Sequence, residues 1–398
     1  MAEAAIIQTQ HPVTRQAALE RLEAFLPLAG ARYAAGRNAD HGPGRHHAVS
    51  RLSAALRRRT LSEAEVLRPV LAQHGAEADS FVSEVFWRTY FKGWLESRPT
   101  VWHHYLGALD RIDARLADDD SLSARHLAAI RGETGIDCFD HWIGELAETG
   151  YLHNWARMQV ASIWIFTLGL PWELGARHFL DQLVDADPAS NTLSWRWVAG
   201  LHTRGKSYLA EAGRITRMTG GRFHPMGLAT RPRIPDAPEP PPAAKPREVA
   251  VPLVDVPTLL WISPEDCSLE TEPAIARLPV RAVAVLPEAD SADDAATRDA
   301  LARAANHWGV PALDCADVGA LVAAAHAAGA QQVVTGRAAV GPAFDRLVEV
   351  RSALRREALP LAEHARVWDR NAWAHATRGF FALREKIPDL VAAAGLLA

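Results

Sequence analysis

TGYLHNWARM, residues 149–158, and DADPASNTLSWRW, residues 185–197, decide the reading of this chain. Between them runs the helix-length apolar stretch WARMQVASIWIFTLG, so the two motifs flank a helical hairpin. They bring His153, Asn154, Arg157, Asp185, Asp187 and Asn191 within 40 residues of one another, among Tyr151, Trp155, Met158, Trp195 and Trp197. A buried arginine needs a carboxylate, and Asp185 or Asp187 is the nearest candidate for Arg157. Charged and amide groups interleaved with tryptophan read as a polar pocket built to hold a ligand.

Outward from this hairpin, residues 14–230 carry apolar side chains at i, i+3, i+4 spacing: AALERLEAFLPLA, SRLSAALRRRTLSEAEVLRPVLAQ, ADSFVSEVFWRTYFKGWLE, SARHLAAIRG, CFDHWIGELAETG and ELGARHFLDQLV all read as helices. The proline-rich RPRIPDAPEPPPAAKPREVAVP, residues 231–252, excludes helix and ladder and reads as a semi-rigid linker. Beyond it, short β-branched runs at TLLWIS, VRAVAVLP, VPALDC and QQVVTG alternate with helical stretches, the pattern of a small parallel α/β unit. The expected fold is mainly α: a helical domain over 1–232, a linker over 233–252 and a smaller Rossmann-like α/β domain over 253–398.

Composition narrows the function classes. The chain has 398 residues, 48% apolar, enough for two cores, and a net charge of −4 that argues against a uniformly basic nucleic-acid protein. Cys138, Cys267 and Cys315 lie far apart, so no disulfide framework or four-cysteine metal site is expected, and a reducing cytoplasm fits. The N-terminal MAEAAIIQTQHPVTRQ lacks the features of a signal peptide, and no run reaches membrane-spanning length. The adjacent His46 and His47 face different ways, no HxxxH or CxxC spacing occurs, and no metal is expected. No nucleophile-elbow motif supports hydrolase chemistry.

Two further clusters bear on a ligand. Ser50 and Ser53 flank Arg51 near a helix start, where free N–H groups favour an anion such as phosphate. Glu84 and Arg88 stand at i and i+4 on a face with Phe81 and beside Trp87, the spacing of an ion pair partly covered by aromatics.

Tyr33, SRLS at 50–53, ExxWR at 84–88, TGYLHNxxRM, Trp172 and DxDxASNxxxWxW at 185–197 occur in an order that resembles the helical FAD-binding domain of the photolyase and cryptochrome family over residues 33–200. The resemblance implies a bent FAD in a helical bowl. Tyr33, Ser50, Arg51, Leu52 and Ser53 would surround its phosphates and ribityl chain, with Arg88 close by. Asn154 would lie near the junction of adenine and flavin, Arg157 would pair with Asp185 against the isoalloxazine, Asp187 would bond the N3 and O4 edge, and Asn191 would face N5.

The same resemblance implies blue-light-driven repair of pyrimidine photoproducts in DNA, by electron transfer from reduced FAD to a dimer flipped out of the duplex. That is the activity of a deoxyribodipyrimidine photolyase-like lyase. Glu84 would contact the dimer, with Trp197 and Phe81 as its aromatic walls. Trp195 and Trp172 match the inner members of a tryptophan electron chain. The third position falls near Asp119 and holds no tryptophan, leaving Trp102, Trp155, Trp164 or a tyrosine as the outlet. The segment after Trp197 also departs from the family pattern. Residues 201–233 hold seven Lys or Arg against one acid, a local charge of +6 that suits a DNA backbone. Residues 257–390 resemble the family's antenna-type α/β domain, which ordinarily comes first, so the order reads as a circular permutation; an antenna chromophore and the oligomeric state are left open. The alternative is a cryptochrome-like blue-light receptor that binds FAD without repairing DNA.

Overall fold

The computed structural model describes residues 11–396, so the first ten residues read above for a targeting signal lie outside the described part. The long central helix Asp79–Glu96 is buried along most of its length; the helix Pro188–Val198 packs against it, and Asn154–Ser162 and Trp172–Gln182 pack against Pro188–Val198. Sequence chemistry sets their ends. The serine-rich stretch read as one long helix divides into Ser53–Arg58 and Glu63–His74, because Arg59 takes a left-handed conformation at φ 49° and Ser62 with Glu65 forms a capping box. The apolar hairpin helix ends in a π turn at Ile163–Thr167.

After the proline-rich segment come five parallel strands, β1 Thr258–Trp261, β2 Val280–Val285, β3 Ala312–Asp314, β4 Gln332–Gly336 and β5 Leu361–His364, in the order β3-β2-β1-β4-β5. Residues alternate between two cores, with Leu260, Ile262 and Val283 on one face and Leu259, Trp261 and Ala282 on the other. β5 escapes the sequence reading, since LAEH is four residues long with a charge inside it. Glu363 is tolerated there because Arg247 pairs with it at 2.5 Å and Arg351 at 2.5 Å. The proline-rich segment is also tied down rather than free: Ala244 N–H donates to Ser97 O, Arg98 Nε to Pro241 O, and Glu363 N–H to Ala250 O.

Sequence order and packing part company at the C-terminus. The helices Val367–Trp373, Phe380–Arg384 and Ile387–Ala393 leave the sheet and bury Ala372, Phe380, Leu383 and Val391 in the core of the helical domain. Phe380 stacks on Trp87 at 3.7 Å between centroids, and Trp368 packs on Phe86 at 4.7 Å. Gly93 makes this docking possible: a Cβ there would come 2.5 Å from the Trp373 indole.

The two domains meet through charge. Arg57, Arg58 and Arg59 are all buried. Arg57 donates to Pro264 O at 2.9 Å, Arg58 to Asp293 at 2.7 Å and Arg59 to Asp369 at 2.7 Å, while Cys267 N–H donates to Arg58 O at 2.8 Å. Among the described residues no helix is long and apolar enough to cross a membrane.

Candidate functional site

Asp187 is the N-cap of helix Pro188–Val198. Its side chain accepts from Ser190 N–H at 2.7 Å and Pro188 supplies the preset first turn, so DADPASN folds locally as the residue types dictate. One turn on, Asn191 is buried and its Nδ2 donates to Ala176 O at 2.7 Å, which fixes the orientation of the amide. Arg157, on the facing helix Asn154–Ser162, is anchored by Nε to Leu152 O at 2.7 Å. Its terminal nitrogens reach Asp185 at 3.0 and 3.1 Å. Of the two carboxylates open to Arg157 in the sequence, the structure selects Asp185.

The electrostatics follow from burial and neighbours. Burial alone would raise the Asp185 carboxyl, but the charges of Arg157 and Arg88 outweigh it and hold the group at about 2, with the Ser53 hydroxyl helping. Burial would likewise raise Asp187. Lys92 and Arg88 reverse the effect and keep it ionised far below the usual carboxylate range. Asp187 Oδ2 lies 3.2 Å from Arg88 Nη1 and 3.6 Å from Lys92 Nζ, close enough for charge pairing. No aligned hydrogen bond reaches that oxygen.

One expected pair is absent. Glu84 and Arg88 do not bond each other: Glu84 pairs with Arg37, and Arg88 turns to Asp187. Helical i, i+4 pairing is worth only a few tenths of a kcal/mol, so a buried carboxylate outcompetes it for Arg88. Tyr33, also bonded by Arg37, packs edge-on to Phe25 and Phe81. Phe81 is 3% exposed inside that aromatic cluster and does not line an open wall. Ser50, Arg51 and Ser53 are half-buried, Leu52 fully buried and Asn154 exposed at its helix start. Arg51 sits in the left-handed region at φ 57°, and the helix that follows runs only from Ser53 to Arg58.

The tryptophans of the sequence reading fall into separate groups. Trp195 stands edge-on to Trp164 at 6.1 Å and to Phe179 at 5.1 Å. Trp172 packs on Tyr105 at 5.6 Å, which in turn packs on Trp102 at 5.2 Å. Trp155 instead meets Trp142 at 6.1 Å. Trp197, half-buried, stacks on Tyr208, within the basic segment, at 5.7 Å. Within that segment Arg204 pairs with Glu239 and Arg222 with Asp40.

Comparison with known proteins finds a likeness over part of the chain. Residues 81–226 match the family model described as the FAD binding domain of DNA photolyase. Residues 81–226 thus form a photolyase-type FAD-binding domain. A deoxyribodipyrimidine photo-lyase from Streptomyces griseus is 40% identical over 157 residues, covering 39% of this chain and 33% of that protein. The Escherichia coli photo-lyase is 28% identical over 233 residues, covering 56% of this chain and 47% of that protein. The chain thus matches less than half the length of these curated relatives. A solved class III photolyase from Agrobacterium tumefaciens is 28% identical over 52% of this chain and 43% of its own, with a TM-score of 0.42.

FAD is the cofactor of this photolyase-type domain, and the residues present fit it. A flavin offers ring N–H and carbonyl groups at one end and a diphosphate at the other. Asp187 Oδ2 keeps a buried lone pair without an aligned donor, while Arg157 and Arg88 are cations held by carboxylates on the hairpin side.

Residues that sequence reasoning passed over complete the picture. Lys92 extends the Glu84, Arg88 row by a further turn, a spacing visible in the sequence. Arg37, Arg57 and Glu265 come from distant segments and gave no such signal. Asp40, His46 and Glu145 form a buried group whose ligand-type atoms lie within 4.8 Å of one another. His46 Nε2 is 2.8 Å from Glu145, and Asp40 accepts from Trp142 Nε1 at 2.8 Å and pairs with Arg222 at 2.9 Å. The neighbouring His153, 5.2 Å from His46, is pushed down to about 4 by burial and the His46 charge.

Proposed function

We propose that this protein carries out FAD-dependent, blue-light-driven repair of pyrimidine photoproducts in DNA. The observation that carries the reading is the stacking of Trp197 on Tyr208. It joins the helix bearing Asn191 to the basic segment 201–233, so an aromatic face and phosphate-binding charge lie together next to the cofactor side. Reduced FAD, when bound, would supply the electron that splits the lesion on absorbing light.

The chain's own residues have distinct parts in this proposal. Asp187 would offer its unaligned oxygen to a ring N–H, and the Arg157–Asp185 pair would flank the ring, with Asp185 ionised at neutral pH. Asn191, its amide fixed by Ala176 O, would present its carbonyl oxygen to the flavin N5. Tyr33, Ser50, Arg51, Leu52, Ser53, Arg88 and Asn154 close around the ribityl, diphosphate and adenine portions. Glu84 would bind the lesion after leaving Arg37, and Trp197 would stack on it. Trp195 and Trp172 would relay electrons to the oxidised cofactor. The α/β domain is read as the antenna-type domain in permuted order.

The test is incubation of the photoreduced protein with an ultraviolet-damaged oligonucleotide under blue light. Light-dependent loss of cyclobutane or (6-4) lesions, reduced in Glu84→Gln and Trp197→Ala, supports the proposal. No product from either lesion sinks it. One observation favours the cryptochrome-like alternative, a light receptor without repair: Glu84 is held by Arg37 and two of the basic segment's arginines are already paired with acids. It predicts photoreduction with no damage-specific DNA binding.

A further inference from the structure

Glu265 lies in the loop after β1, at the carboxyl end of the central strand pair β1 and β4. In open parallel sheets this is the switch point where a ligand crevice forms. Here the loop is turned against the helical domain: Arg57 Nη1 donates to Pro264 O at 2.9 Å and Cys267 N–H donates to Arg58 O at 2.8 Å. The Glu265 carboxylate is thereby placed among the cations that surround Asp187. Lys92 Nζ lies 3.0 Å from Glu265 Oε2 but 3.6 Å from Asp187 Oδ2, and Arg57 Nη1 lies 3.7 Å from Glu265 Oε1. Lys92, Arg57, Asp187 and Glu265 are all buried, so these charges act on one another with little solvent screening.

We propose that Glu265 is a positioning residue of the flavin site, contributed by the α/β domain, which draws Lys92 away from Asp187 and so leaves Asp187 Oδ2 open to a ring N–H of FAD. The inference rests on the reading of Asp187 as a flavin-binding carboxylate. Three cations, Arg57, Arg88 and Lys92, face Asp187. Without the Glu265 charge, Lys92 has one carboxylate left to pair with, and closing the 3.6 Å gap to Asp187 would occupy the oxygen that FAD needs. The α/β domain then acts on cofactor affinity without touching the cofactor, and the role is one of position rather than catalysis.

The test is equilibrium binding of FAD, followed by flavin fluorescence, to the full-length wild type, Glu265→Gln, Lys92→Met and the double variant, each checked for folding by circular dichroism. Glu265→Gln should weaken FAD binding by about tenfold, in the range of coupling between linked sites. Lys92→Met, which removes the competing ammonium, is the reference against which the double variant is read. Adding Glu265→Gln to Lys92→Met should change nothing further, since the competing ammonium is gone. A Glu265→Gln protein that is less stable but binds FAD normally would overturn the proposal, as would a weakened double variant. If Glu265→Gln does not fold, the comparison of Lys92→Met with the double variant still decides: equal affinity supports the proposal and unequal affinity overturns it. Failure of the wild type itself to bind FAD would defeat the underlying flavin reading, a separate outcome from normal wild-type binding with an indifferent Glu265→Gln.

Discussion

Asp185 Oδ2 accepts a hydrogen bond from Arg157 Nη2 at 3.1 Å and Oδ1 lies 3.0 Å from Nη1, with the carboxylate almost wholly removed from solvent. The pair ties together two helix starts that the chain places 28 residues apart. Because the folded Asp185 carboxyl is held at about 2, below its unfolded value, the pair stabilises the fold fully above about pH 4 and loses that contribution as pH falls toward 2. The difference corresponds to about 2 kcal/mol. Urea unfolding of wild type should show this loss on acidification, while Asp185→Asn should be less stable at pH 7 and show a correspondingly shallower acid dependence.

Gly175 holds Trp195 in place by having no side chain. A Cβ there would collide with the far edge of the Trp195 indole and come within 3.0 Å of Trp164. Both indoles are buried and the site cannot expand outward. Gly175→Ala should therefore destabilise the protein by about 1–3 kcal/mol, the usual cost of overpacking, and shift the tryptophan emission. Unchanged emission and stability would show that the Trp195 edge is not so confined.

Arg59 is buried between Asp369 and Glu63 and links the helical domain to the first helix after the sheet. Removing one partner leaves a buried guanidinium undercompensated. Asp369→Ala should cost about 3–5 kcal/mol in denaturant unfolding, more than truncation of an exposed pair such as Arg384 with Asp79.

The aromatic contacts divide the outlets that the sequence left open for photoreduction: Trp164 touches Trp195, and Trp102 is reached from Trp172 through Tyr105. Trp172 continues through Tyr105 to Trp102, whereas Trp155 contacts Trp142 and lies off this line. Under blue light with an external reductant, Trp102→Phe should slow flavin reduction on the order of tenfold, and Trp155→Phe should leave the rate unchanged. Trp195→Phe should abolish rapid reduction. Equal slowing by the Trp102 and Trp155 variants would reject this path.

What could be read from sequence was what is locally determined. DADPASN announces an N-cap, a proline first turn and an amide one turn later. The strands β1 to β4 announce themselves as short β-branched runs. The Arg157–Asp185 pair was accessible because one apolar hairpin separates its partners. The Glu84–Arg88 pair was misread because helical spacing says who can meet, not who competes: Arg37 and Asp187 arrive from other segments. β5 was hidden by Glu363, whose charge is acceptable in a strand only with Arg247 and Arg351 beside it. The closing helices look like a continuation of the α/β domain, yet Gly93 and the Trp87 face draw them back into the helical core. Glu265 was beyond reach for the same reason, since only the domain interface brings it to Lys92.

The absorption spectrum of the purified protein, taken before and after blue light in the presence of reductant, tests the flavin cradle most directly. Wild type should show the two bands of oxidised flavin in the near ultraviolet and blue, bleaching on illumination, with the bound flavin diminished in Asp187→Ala and Arg157→Ala. A folded wild-type protein without flavin bands, to which added FAD does not bind, would contradict the flavin cradle.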